Sequence, residues 1–309
     1  MSLPVTRRTF VLGATALAAC SRGERDAMGG PPPRPLISAS VRVIEMDLGR
    51  QPWGAGRAVV LVPSWGAAAA RYPLLVALHG RGEALKSPAD GAMGWPRDYA
   101  LVSAYDRVRA PPLTPMDYEG LVEPAHLSET NASLFQRPFQ GLVVACPYLP
   151  DLRSAATADI GAYAHFVLDV LVPAVRAQAP VLSAPEATGI DGVSLGGILA
   201  LRIGLGAPDR FAAVGAIQPA LANAPIDPDP LTALALSARG RRQDLKLRLI
   251  TSHDDYFHDP IVAQSRAWTA ASVSHEFADL PGPHDYVFNR GPGSLELLLW
   301  HDRVLAHSQ

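Results

Sequence analysis

The 309-residue chain has few cysteines, few aromatic residues and almost no net charge. Two cysteines, Cys20 and Cys146, permit at most one disulfide, which excludes both a disulfide scaffold and a zinc ribbon. A formal net charge of −2 leaves no basic excess for a nucleic-acid footprint, so no nucleic-acid partner is expected. Charged residues make up only 18% of the chain, which excludes a solvated, disordered polyelectrolyte. Aromatics are 7%, against 29 prolines and 26 glycines, so the core must be packed from small and aliphatic side chains between many loops. No internal repeat is visible. The length and the 48% hydrophobic content are enough for one sizeable core.

The N-terminus reads as an export signal over residues 1–19. Arg7 and Arg8 stand just before the apolar run Val11 to Ala19, which is too short to span a bilayer. The pair suggests twin-arginine export, although no lysine follows the run's first residues and the general secretory route stays open. The run ends in Leu17-Ala18-Ala19-Cys20, which resembles the lipobox of bacterial lipoproteins. That resemblance implies lipidation of Cys20, a membrane partner through the lipid anchor, and a location in the cell envelope. Residues 20–36, with Gly29-Gly30-Pro31-Pro32-Pro33, read as an extended tether. Cys146 lies in the apolar run Leu142 to Cys146 and reads as an inert core thiol.

Residues 37–309 read as one catalytic domain. Apolar, β-branched runs recur at Val41–Leu48, Ala58–Val62, Leu74–His79, Leu142–Cys146, Ala187–Asp191, Ala213–Ile217 and Leu245–Thr251. Several are continuous rather than alternating, the pattern of strands covered on both faces. Tyr163, Phe166, Val167, Val170, Leu171 and Ala174 fall on one helical face, and further helices are expected at Leu195–Leu205, Ile261–Ala271 and Leu295–Leu305. Strand–helix alternation predicts an α/β fold: a doubly wound, mostly parallel sheet with helices on both faces, preceded by an antiparallel hairpin. The segment near 91–140 is longer than a strand-to-helix connection requires and carries Trp95, Tyr99, Tyr105, Tyr118, Phe135 and Phe139. It is expected to be a pocket wall or partial lid.

Three motifs carry chemistry. Gly192-Val193-Ser194-Leu195-Gly196 follows a strand-like run and precedes a helical one, the context of a nucleophile elbow. There Ser194 is held in a strained turn, with the helix N-terminus behind it favouring developing negative charge. Leu78-His79-Gly80-Arg81-Gly82 follows another strand. It resembles the HG-x-G oxyanion element of α/β-hydrolases, which would aim the backbone N–H groups of Arg81 and Leu195 at a carbonyl oxygen. His284, in the Gly/Pro-bounded loop after Ser274–Leu280, is the candidate base, and Asp254 or Asp255 the candidate acid.

Together the motifs, over roughly residues 73–304, resemble the α/β-hydrolase superfamily. Within it they resemble the esterase branch that includes esterase D, feruloyl esterases and polyhydroxyalkanoate depolymerase-like proteins. The resemblance implies a serine esterase that cleaves a small-molecule or polymer carboxylic ester through an acyl-enzyme, with no cofactor and no metal. The order Ser194, Asp255, His284 is the superfamily's order. A Gly-x-x-Asp turn common in the family aligns with Ser252 to Asp255, with Ser252 in place of glycine, and so points to Asp255 over Asp254. Two other readings remain. His253, Asp254, Asp255, His258 and Asp259 gather metal-ligand side chains within seven residues, although a catalytic loop accounts for the same residues. The second is a ligand-binding lipoprotein without turnover, to which the complete Ser–Asp–His order is opposed.

Overall fold

A computed structural model describes residues 36–152, 157–221 and 229–307. The readings of the export signal, of Cys20 and of all but the last residue of the tether lie outside these residues. Eight strands form one sheet in the order β1-β2-β4-β3-β5-β6-β7-β8. β1 (Val41–Gln51) and β2 (Gly54–Pro63) make the expected antiparallel hairpin, and β2 also runs antiparallel to β4 (Val143–Pro147). β3 (Leu74–Leu78), β5 (Thr188–Gly192), β6 (Ala213–Ile217), β7 (Lys246–Asp254) and β8 (Glu276–Pro283) complete a parallel series with β4.

The continuous apolar runs are explained by burial on both faces. In β3, Leu74, Val76 and Leu78 enter one core cluster, while Leu75 and Ala77 enter the other. In β4, Val143 and Ala145 face one way, Val144 and Cys146 the other. Burial pushes the Cys146 thiol well above its ordinary pKa, so it packs as a small apolar group.

The first cluster lies under the helices α3 (Ala158–Gln178), α4 (Leu195–Gly206), α5 (Asp229–Arg241) and α6 (His258–Ala270). α3 is long and apolar enough to cross a membrane, yet Tyr163, Phe166, Val167 and Leu171 are buried against the sheet. The second lies under α1 (Leu101–Arg109) and α7 (Ser294–Val304), with α2 (Pro124–Gln136) contributing Leu134.

The segment near 91–140 differs from the expected pocket wall or lid. It folds into α1, α2 and short helical turns, and Trp95, Tyr99, Tyr105, Tyr118 and Phe139 are buried in the second cluster. Only Phe135 among its aromatics is highly exposed. The aromatic rings fill the gap between α1, α7 and the sheet, because their large apolar area is worth most where water is excluded.

Candidate active site

Strand order brings the motifs together. β3 and β5 are neighbours in register Leu78↔Gly192, so the segment after β3 and the elbow after β5 emerge side by side at the carboxyl edge of the sheet. β6, β7 and β8 end at the same edge, where ligands bind in open α/β sheets.

The Ser194 backbone has φ 57° and ψ −118°, a conformation that costs on the order of 1–3 kcal/mol. Neighbouring strands enforce it. Val193 N–H donates to the Leu78 carbonyl at 3.1 Å, Ser194 N–H to Ile217 at 3.0 Å, and Ala220 N–H to the Ser194 carbonyl at 2.9 Å. The turn requires glycine at 196, because a Cβ there would collide with the carbonyl oxygens of Leu78 and His79. Ser194 is thereby half-buried at the N-cap of α4, with Leu195 as the first helical residue.

Arg81 begins a helical turn, Arg81–Ala84, capped by Gly80. Its side chain pairs with Asp151 at 3.0 Å. A Cβ on Gly80 would lie 3.6 Å from Ser194 Cβ, which measures how closely the two motifs approach. His79 is buried and structural. Its Nε2 accepts from Leu149 N–H at 2.9 Å and its Nδ1 donates to the Gly80 carbonyl at 2.9 Å. Burial holds this imidazole below its ordinary pKa, which fits one donor and one acceptor on a neutral ring.

Asp255 and His284 meet. His284 Nδ1 lies 2.8 Å from Asp255 Oδ1, and the Asp255 side chain is fully buried. The same oxygen accepts from Phe257 N–H at 2.9 Å, and Oδ2 faces Thr251 Oγ1 at 3.3 Å. Asp254 is exposed, with its Cα opposite Pro283 in the β7–β8 ladder. The imidazole is flanked by Tyr256 and Phe257, with ring centroids 4.3 Å and 5.4 Å away. An open cleft of about 610 Å³ lies beside the acid, lined by His253, Tyr256, His258 and Asp259 among others. Asp279 pairs with His258 of the cleft wall at 2.9 Å and lies 3.9 Å from His253. Among the described residues no group of three or more His, Cys, Asp or Glu is arranged to hold a metal ion.

Gln218 is a site residue that the sequence reading missed. It follows β6 with φ 44°, is fully buried, and its Nε2 lies 2.5 Å from Ser252 Oγ and 3.1 Å from the Pro283 carbonyl. A carbonyl only accepts, so the amide nitrogen must face Pro283. Gln218 thus ties the strand before the acid to the residue before His284. Its one signal in the sequence is a Gln-Pro pair directly after a strand. A second unforeseen group lies beneath the elbow strand: Asp191 Oδ2 meets His301 Nε2 at 3.0 Å and Arg248 at 3.7 Å, all buried.

Residues 152–278 match the family described as "Putative esterase", a span that contains Ser194 and Asp255 and stops before His284. No curated relative matches the sequence. A ferulic acid esterase is similar in structure, with TM-score 0.64 and 16% identity, over 86% of this chain and 100% of its own. S-formylglutathione hydrolase from Staphylococcus aureus is similar with TM-score 0.58 and 15% identity, over 85% of this chain and 98% of its own. The feruloyl esterase module from Clostridium thermocellum, complexed with sinapinate, is similar with TM-score 0.58 and 12% identity, over 90% and 96%. At these identities the likeness is one of fold.

Proposed function

We propose that this chain, an α/β-hydrolase whose residues 152–278 carry the esterase pattern, cleaves carboxylic esters through an acyl-Ser194 intermediate. The observation that carries the reading is the buried Asp255–His284 pair at the sheet edge where the strained Ser194 emerges. Asp255 as a carboxylate only accepts, so His284 Nδ1 carries the proton and Nε2 keeps a lone pair for the Ser194 hydroxyl. Ser194 Oγ attacks the ester carbonyl and its proton passes to His284. The oxyanion that forms is met by the backbone N–H groups of Leu195, at the N-terminus of α4, and of Arg81, at the start of a single helical turn. The imidazolium then gives its proton to the leaving alcohol, and water repeats the sequence on the acyl-enzyme. No step in this sequence calls on a cofactor or metal.

Small carboxylic esters, those of hydroxycinnamic acids among them, are the substrate class that the structural neighbours suggest. Ser194→Ala should lower ester turnover by several orders of magnitude while leaving the fold intact, since one oxygen is removed at a loop. Unchanged turnover by the folded variant would contradict the acyl-Ser194 mechanism, and a folded wild type without turnover would favour a binding protein instead.

We also propose that the exported chain is anchored through a lipidated Cys20, on the strength of the lipobox-like Leu17 to Cys20. More than one acyl chain is needed for a stable anchor. Cys20→Ser should move the exported protein from the membrane fraction to the soluble fraction. An intact mass showing an unmodified Cys20 in the exported wild type would contradict this.

A further inference from the structure

Directly beneath the Arg81 turn lies a buried charge cluster that the ester-cleavage sequence does not use. Glu83, two residues after Arg81, is 1% exposed. Its Oε1 accepts from the Tyr286 hydroxyl at 2.6 Å and faces Lys86 Nζ at 3.4 Å, while Oε2 accepts from the Tyr99 hydroxyl. Tyr99 in turn accepts from Gly80 N–H at 3.1 Å, so a chain of hydrogen bonds runs from the backbone just before Arg81, through a phenol, to the carboxylate. Tyr286 stands two residues after His284, at the start of a short helix capped by Asp285. One carboxylate is therefore shared by the oxyanion turn and by the histidine loop.

The chemistry of the partners explains why a carboxylate is used. Burial, reinforced by Glu83 itself, raises the pKa of both phenols, so both remain protonated donors. Lys86 is opposed by burial, but its contacts to Asp98 at 2.8 Å and to Glu83 outweigh that and keep the ammonium charged. Asp98 is itself paired with Arg97 at 2.9 Å. Two carboxylates thus face two cations, and the cluster is compensated. A buried ion without such partners would be strongly unfavourable. Two phenols and an ammonium all donate, and only a carboxylate offers acceptors on both of its atoms. A glutamine at 83 has one acceptor oxygen, so one of the two phenols would lose the acceptor that it now uses.

We propose that Glu83 is a positioning residue that fixes the separation between the oxyanion turn and the His284 loop. It rests on the esterase reading above, because it assigns Glu83 a part in keeping the Arg81 N–H and His284 in register around one reacting carbonyl. The group acts through Tyr99 and Tyr286 rather than on substrate. Spacing errors at this scale are costly: about 1 Å of misplacement removes roughly 10²-fold in rate.

The test uses the full chain with Glu83→Gln, Tyr286→Phe and the double variant. Readouts are steady-state kinetics on a p-nitrophenyl ester and inhibition by a boronic acid that mimics the tetrahedral intermediate, both well below each variant's Tm. Glu83→Gln is expected to lose about 10²-fold in kcat with KM nearly unchanged. Tyr286→Phe, at a half-buried ring and losing only the hydroxyl, should lose about 10-fold. The double variant should lose less than the product of the two. The boronate Ki should rise in step with the loss in kcat/KM, which a contact that only stabilises the fold would not produce. Folded variants with kcat/KM and boronate Ki within about twofold of wild type would overturn the inference and leave the esterase reading standing. If Glu83→Gln does not fold, Tyr286→Phe decides by the same criterion. A wild-type enzyme without Ser194-dependent turnover would overturn both.

Discussion

At the scale of single residues, one position of register separates the two candidate acids of the proposed triad. Asp254 is the last residue of the β7 ladder, opposite Pro283, and its side chain is in solvent. Asp255 has left the ladder, turns inward, and reaches His284 with a fully buried carboxylate. Asp255→Asn should therefore leave His284 in the wrong tautomer and lower kcat by up to about 10⁴-fold, while Asp254→Asn changes it little. Kinetics of the two folded variants side by side check this; the reverse ranking would displace Asp255. The sequence narrowed the acid to a pair through a turn in which Ser252 replaces glycine. It could not show where the ladder ends, since that depends on pairing with β8. Gln218 and Glu83 were illegible for a related reason. Their partners, Ser252, Pro283, Tyr99 and Tyr286, are distant in sequence and follow no local period.

Between elements, a charged tie crosses the second face of the sheet. His126 on α2 meets Glu296 on α7 at 2.7 Å, and Glu296 also faces Arg248 on β7 at 3.3 Å. The Glu296 hydrogen bond raises the His126 pKa above its ordinary value, with burial opposing. Burial raises the Glu296 pKa, but His126 and Arg248 outweigh it and the carboxylate is held below its usual range. A folded-state pKa above the unfolded one means that His126 contributes its full stabilisation below about pH 6.5 and loses it as pH rises through the folded value. The Tm difference between wild type and His126→Gln should accordingly be larger at pH 6 than at pH 9. A difference that is constant across that range would show that the tie carries no charge. The helices themselves were readable where one face is apolar, as in α3. α2 was not, because Leu134 is its one buried residue and mostly polar residues separate it from Leu127.

For the whole molecule, the sheet was legible because strands covered on both faces must be apolar throughout, as β3, β4 and β6 are, and because β1 and β2 lie close enough in sequence to read as a hairpin. The order β4-β3-β5 was not a property of any run. It arises from the crossovers, and it makes the His79–Arg81 segment and the Ser194 elbow adjacent. The 91–140 segment was misjudged because aromatic content marks a binding wall and a core equally well; only the packing of Trp95, Tyr99 and Tyr105 against the second face distinguishes them. The central claim is that Ser194 carries the acyl group between two half-reactions. The most direct measurement is rapid-quench analysis of the enzyme with a p-nitrophenyl ester, followed by peptide mass spectrometry. The account predicts a burst of one p-nitrophenol per chain and one acyl group on the peptide containing Ser194, both absent in Ser194→Ala. Turnover without a burst and without acylation of that peptide, or unchanged in Ser194→Ala, would contradict it.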